Sequence, residues 1–129
     1  MKIKIYYEDT DCGGIVYHTN YLKYTERARS EYFSNLSKEV FTPTQGFVVR
    51  NCECRFFAPA KLLDELEVKS KVIDIKSASI KLEQCIFKQD DLLFKQTTTL
   101  AFLKDGKLSK MDDSFIVLLK NHLSDDSSF

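Results

Sequence analysis

From Tyr6 to Tyr21 the chain reads Tyr6-Tyr7-Glu8-Asp9-Thr10-Asp11-Cys12-Gly13-Gly14-Ile15-Val16-Tyr17-His18-Thr19-Asn20-Tyr21. Three carboxylates, two adjacent glycines and one histidine fall between an alternating strand pattern and the start of a helical one. An acid on a glycine-loosened loop, seven residues before a histidine at a helix start, fits a hydrolytic site. Asp9 and Asp11 also have a plainer reading, as loop acids that bond backbone amides and shape a turn. Taken alone, that plainer reading is favoured for both. His18 alone reads as a packing or capping residue before a catalyst.

The elements around this segment follow from periodicity. Ile3, Ile5 and Tyr7 alternate with Lys2, Lys4 and Tyr6, which predicts a half-buried first strand with Tyr7 facing inward. Residues 19–36 contain good helix formers and neither glycine nor proline, and Thr19 or Asn20 can supply an N-cap oxygen. Tyr21, Thr25, Ala28 and Tyr32, with Leu22, Phe33 and Leu36, form one wide apolar stripe, which reads as core and not as a cofactor box. Glu26 has helical neighbours that suit an ion pair with Arg29 or Arg27.

Beyond Pro43 and Gly46 the period changes from 3.6 to 2. Strands are expected over 47–57, 66–75, 79–88 and 93–103, with short connections and a favoured hairpin turn at Asp105-Gly106. Residues 114–123 suit a terminal helix better than a sixth strand. The polar tail over 124–129 is expected to fray. One long helix with an apolar stripe must bury it, and the available partner is one curved antiparallel sheet of about five strands. The fold class is α+β.

Composition removes several functions. The 129 residues suit one domain over 1–129. Nineteen basic residues balance nineteen acidic ones, so no global field favours nucleic acid. No run approaches the roughly 18 apolar residues of a membrane helix, and no signal-peptide pattern is present, so a cytoplasmic location is expected. Cys12, Cys52, Cys54 and Cys85 include no C-x-x-C pair and no accompanying histidine cluster, which gives neither a zinc site nor a disulfide framework. Cys52 and Cys54, two apart on a strand, share a face and read as small buried hydrophobes. His122 has no evident partner.

The motif resembles the acyl-CoA thioesterases of the 4-hydroxybenzoyl-CoA thioesterase family, and within it the bacterial group associated with the Tol-Pal operon. The matching residues are Tyr7-Glu8-Asp9-Thr10-Asp11, Gly14-Ile15-Val16-Tyr17-His18, Asn20-Tyr21 and Tyr24-Thr25-Glu26-Arg27-Ala28-Arg29. Phe47-Val48-Val49-Arg50, Phe57-Ala58-Pro59-Ala60 and Asp64-Glu65-Leu66 add a second, weaker match. The likeness covers roughly the first three quarters of the chain.

The resemblance implies a hotdog fold, in which one long helix is wrapped by the sheet, and a homodimer or homotetramer with active sites at the subunit interface. It makes Asp11 the catalytic carboxylate, as nucleophile or general base, with Asp9 mainly structural. His18 stands at the position of electrophilic help, and Tyr7 accompanies both. The substrate would be an acyl-CoA, with acyl carrier protein as the alternative carrier. Coenzyme A is then part of the substrate, and no separate cofactor or metal is implied. The phosphates of coenzyme A call for a basic contact, for which Lys76 on the Lys76-Ser77 turn is the first choice, ahead of Lys61, Lys88 and Lys104. A non-catalytic module binding acyl groups or acyl carrier protein is the alternative. A hotdog dehydratase does not fit, because His18 is followed by Thr19-Asn20-Tyr21-Leu22-Lys23 and not by a His-x-x-x-Phe-Pro-Gly type segment.

Overall fold

The computed structural model describes residues 1–37 and 40–124; the expected fraying of the tail falls on 125–129, outside the described residues. The elements are β1 (Lys2–Lys4), α1 (Asn20–Leu36), β2 (Gln45–Phe56), β3 (Glu65–Ile75), β4 (Ser79–Lys88), β5 (Asp91–Lys104), β6 (Lys107–Leu108) and α2 (Asp113–Ser124). The main path of the sheet runs β1-β3-β4-β5-β2, antiparallel throughout, and β6 folds back on β5. Asp105 and Gly106 both take positive φ, 52° and 75°, as a tight hairpin turn of this hand requires.

Register shifts between Val49 and Asn51, between Val72 and Asp74, and between Ile86 and Phe87 interrupt three ladders. Each extra residue adds local twist, and together they curl the sheet around α1. The result is the hotdog arrangement.

Cross-strand partners arrange the inner face of the sheet in rows. Val68, Ile86, Phe94 and Phe56 form one row; Val72 and Leu82 continue into Thr98 and Cys52 in another. Val68, Ile86 and Phe94 of the first row join Ile5, Val16, Tyr21, Tyr24 and Ala28 in one apolar cluster. Val72 and Leu82 join Phe33, Leu100, Phe102 and, from the α2 end of the chain, Met111 and Leu119 in a second.

Several expectations are corrected here. The alternation of the first strand does not continue to Tyr7. β1 ends at Lys4 and residues Tyr7–Asp9 form a 3₁₀ turn, because the Asp9 carboxylate accepts the Tyr6 amide at 2.9 Å and draws the backbone round. Tyr7 is consequently 82% exposed instead of inward.

On α1, Leu22 of the expected stripe is exposed, whereas Tyr24 and Arg29 are buried. Among the described residues, Glu26 makes no ion pair within 4.0 Å with either arginine, although its charge is felt at Arg29. Cys52 and Cys54 do share a face, with sulfurs 3.5 Å apart, but Cys52 is exposed and Cys54 half-buried. His122 has a partner after all, since its Nδ1 lies 3.4 Å from the Tyr32 hydroxyl.

Candidate active site

Residues 9–17 form a closed loop whose two arms run antiparallel. Thr10 bridges Val16, the Asp11 amide donates to the Ile15 carbonyl at 2.9 Å, and the Tyr17 amide donates to the Asp9 carbonyl at 2.9 Å. At the tip, the Gly14 amide donates to the Asp11 carbonyl at 3.1 Å, and Gly14 holds φ at +80°, which a side chain would disfavour. The loop is tied to the body by the Val16 amide on the Ala60 carbonyl, 2.9 Å, and by a bridge between Ile15 and Lys61.

The two acids have different surroundings. Asp9 is spent on structure: one carboxylate oxygen accepts the Tyr24 hydroxyl at 2.6 Å and the other the Tyr6 amide. Its carbonyl also takes Asn20 Nδ2 at 2.8 Å. Burial, reinforced by the bond to Asp9, pushes the Tyr24 phenol far above its ordinary range, so it remains a proton donor to the acid.

Asp11 instead projects from the turn, exposed, with Oδ1 accepting the Gly13 amide at 2.8 Å. A Cβ on residue 13 would stand 3.2 Å from that oxygen, so glycine is what lets the carboxylate lie over the turn. Oδ2 accepts no hydrogen bond from the described residues.

The start of α1 is uncapped. Thr19 occupies the N-cap position in helical geometry with no side-chain bond, and Asn20 turns its amide to Asp9, so neither expected cap is made. The backbone amides of His18 and Thr19 find no acceptor among the described residues. Free amides at a helix start are suited to a developing negative charge, both as donors and through the helix dipole. The His18 ring is exposed and lies edge-on to Tyr17 and Phe56, with centroids at 4.8 and 6.3 Å.

Asp11 thus sits on a hydrogen-bonded loop, and His18 directly follows that loop where it feeds the uncapped helix. No side-chain hydrogen bond joins Asp11, His18 and Tyr7 among the described residues. Tyr7 contributes its carbonyl, which accepts the Thr10 amide and hydroxyl.

Lys76 lies at the opposite end of the sheet. It is eight residues along from Val68, or about 26 Å at strand rise. There it lines an outer-face groove of about 470 Å³ with Arg50 and Lys81, and with Asp74 and Glu53. Lys88 is already paired with Asp64 at 3.0 Å. The sequence pattern gives Asn20 a capping role and Arg29 an ion pair, and leaves Tyr24 off the apolar stripe; the structure buries all three and turns Asn20 and Tyr24 to Asp9 and Arg29 to Gln84. For Tyr24 a signal existed, since it stands three residues after Tyr21 and four before Ala28.

A curved antiparallel sheet wrapped on one long helix, with an acid-bearing glycine turn leading into the helix start, defines a hotdog-fold protein. The chain belongs to the thioesterase superfamily, whose family model matches residues 13–95. The match begins just after Asp11.

Among curated proteins, the acyl-CoA thioesterase YbgC of Helicobacter pylori is 44% identical over 75 residues, 58% of this chain and 56% of that one. The chain therefore spans little more than half the length of that relative. A probable thioesterase from Bartonella henselae is 30% identical at a TM-score of 0.77, over 88% of this chain and 96% of the other. A Staphylococcus aureus protein crystallised with CoA superposes at a TM-score of 0.92 with 12% identity, over 100% of this chain and 85% of the other; that likeness is one of fold.

Proposed function

We propose that this protein hydrolyses acyl-CoA thioesters, with Asp11 as the catalytic carboxylate. The observation that carries the proposal is a projecting carboxylate, anchored on the Gly13 amide at 2.8 Å, on the loop that leads directly into the unpaired amides at the start of α1. Asp11 attacks the thioester carbonyl, or takes a proton from the water that does so. The oxygen of that carbonyl gains negative charge and is received by the His18 amide. The thiolate of coenzyme A leaves and takes up a proton; on the nucleophile route water then hydrolyses the anhydride formed with Asp11, and on the base route the acid is released directly. Tyr7 borders the same loop and serves the site from the surface. The activity in the name of the Helicobacter relative and the CoA bound to the Staphylococcus protein support this substrate class.

The working unit is a dimer or a tetramer of dimers. β2 is the last strand on its side of the sheet, twelve residues long, with no further strand beside it among the described residues and with exposed Val48 and Val49. Such an edge is normally covered, and a second copy paired about a two-fold axis covers it antiparallel. That pairing sets the Phe56 end of one β2 beside the Gln45 end of the other. The Asp11 loop of one protomer then neighbours the Lys76 end of its partner. In that pairing Lys76, with Arg50 and Lys81 in the same groove, would hold the phosphates of coenzyme A reacting at the other protomer's Asp11.

The test is a screen of short, long and aromatic acyl-CoAs with free-thiol detection. Turnover of any of them above the uncatalysed rate supports the enzyme. Binding without thiol release would identify a non-catalytic acyl or acyl-carrier-protein module.

A further inference from the structure

The first turn of α1 grips the neck of the Asp11 loop. The Asp9 carbonyl receives two donors, the Tyr17 amide at 2.9 Å and Asn20 Nδ2 at 2.8 Å, which together use both lone pairs of that oxygen. Asn20 also donates its own backbone amide to the Tyr17 carbonyl at 2.8 Å. Its side chain and backbone therefore hold residues 9 and 17, where the two arms of the loop meet. Asn20 is 7% exposed, so this clamp is shielded from competing water. Asp11 lies two residues beyond one end of it, and His18 follows the other.

An asparagine at a helix start ordinarily turns its side-chain oxygen to the free backbone amides. Here the side chain faces Asp9 as a donor instead. Thr19 makes no side-chain cap bond either, and the His18 and Thr19 amides have no acceptor among the described residues. The helix thus forgoes its cap at the place where the proposed reaction needs open donors. The same bond that draws Asn20 away from those amides also fixes the arm that carries Asp11.

We propose that Asn20 is a positioning residue for thioester hydrolysis, holding Asp11 in register with the His18 amide and leaving that amide open. The proposal goes beyond the assignment of Asp11 and rests on it. Asn20 acts through the Asp9 carbonyl and touches neither the substrate nor the reacting atoms. Asparagine suits the position because its NH2 group donates to a carbonyl, whereas an ionised aspartate of the same shape would be repelled by it. The effect falls on the transition state, where the thioester oxygen gains charge, and not on binding of the ground state.

The experiment measures kcat and KM on one good acyl-CoA, and melting temperatures, for wild type, Asn20→Ala and Asn20→Asp. Turnover is assayed well below the lowest melting temperature. Misplacing a reacting group by about 1 Å costs on the order of a hundredfold. Asn20→Ala should therefore lose about tenfold or more in kcat, with KM within about twofold of wild type. Asn20→Asp cannot donate to the Asp9 carbonyl, is free to accept the open amides, and gains from the helix dipole. It should melt at or above Asn20→Ala while turning over no faster. A purely structural residue would instead have activity recover with stability, and that recovery overturns the proposal. Near-wild-type kcat in Asn20→Ala, or a raised KM with kcat kept, overturns it too, and leaves the thioesterase reading standing. Should Asn20→Ala fail to fold, Asn20→Asp fills the same volume and decides alone: wild-type kcat in it overturns the proposal. No turnover of any acyl-CoA by wild type would remove the thioesterase reading itself, and this proposal with it.

Discussion

Tyr24→Phe isolates the side-chain bond between Asp9, on the loop that carries Asp11, and the helix. The hydroxyl removed donates to Asp9 Oδ1 at 2.6 Å, and Tyr24 is almost wholly buried. A hydrogen bond to a charged acceptor contributes roughly 1.5–3 kcal/mol. Asp9 is half-buried and keeps the Tyr6 amide on its other oxygen, so the carboxylate is not orphaned and the lower half of that range applies. The expected loss is about 2 kcal/mol, which for a chain of this size lowers Tm by about 6 to 8 °C. Phenylalanine refills the same volume, so no cavity contributes.

The assay is thermal and urea denaturation of wild type, Tyr24→Phe, Asp9→Asn and the double variant. The cycle should return a coupling of about 1 kcal/mol or more between the two sites, with unchanged m-values. Additive losses, or a Tyr24→Phe protein that melts with wild type, would refute the reasoning that Asp9 is a structural acid held by Tyr24.

Two further outcomes follow from the proposed dimer. Light scattering at micromolar concentration should give a dimer or tetramer; a monomer would contradict the pairing of β2 edges. Lys76→Glu should raise KM for acyl-CoA about fivefold or more with little change in kcat, as expected when a phosphate contact outside the reacting centre is lost and reversed. Unchanged KM would remove Lys76 from the coenzyme A site.

Much of this architecture is legible from periodicity because burial enforces it. β4 falls on the expected 79–88, and β3 and β5 differ by a residue or two at their ends, since each strand has one face on α1. The Asp105-Gly106 turn needs positive φ at both residues, and its sequence says so. Tyr7 is a different case. Alternation extends a strand only while the backbone stays extended, and the bond from the Tyr6 amide to Asp9 ends that three residues early.

The buried polar side chains of β4 and β5 are hidden for another reason. Gln84, Gln96 and Thr98 sit at inward positions of strands whose alternation otherwise marks them as core, and their partners come from α1, from β3 and from within β5 itself. Arg29 lies on the buried side of α1, where Gln84 Oε1 accepts its Nη1, information that the helix sequence alone does not contain. The loop over residues 9–17 is legible as a motif; the different surroundings of its two acids emerge from Tyr24 and Gly13.

The central claim, that Asp11 is the catalytic carboxylate, is tested most directly by Asp11→Asn assayed on a good acyl-CoA, with Glu26→Gln as comparator. The amide preserves shape and can still accept from the Gly13 amide, so fold and assembly should survive. Because an amide serves as neither an efficient nucleophile nor a base, kcat should fall roughly a hundredfold or more. Glu26→Gln should stay near wild type. An Asp11→Asn enzyme with near-wild-type kcat beside an inactive Glu26→Gln would place the reacting carboxylate on α1 and contradict the assignment.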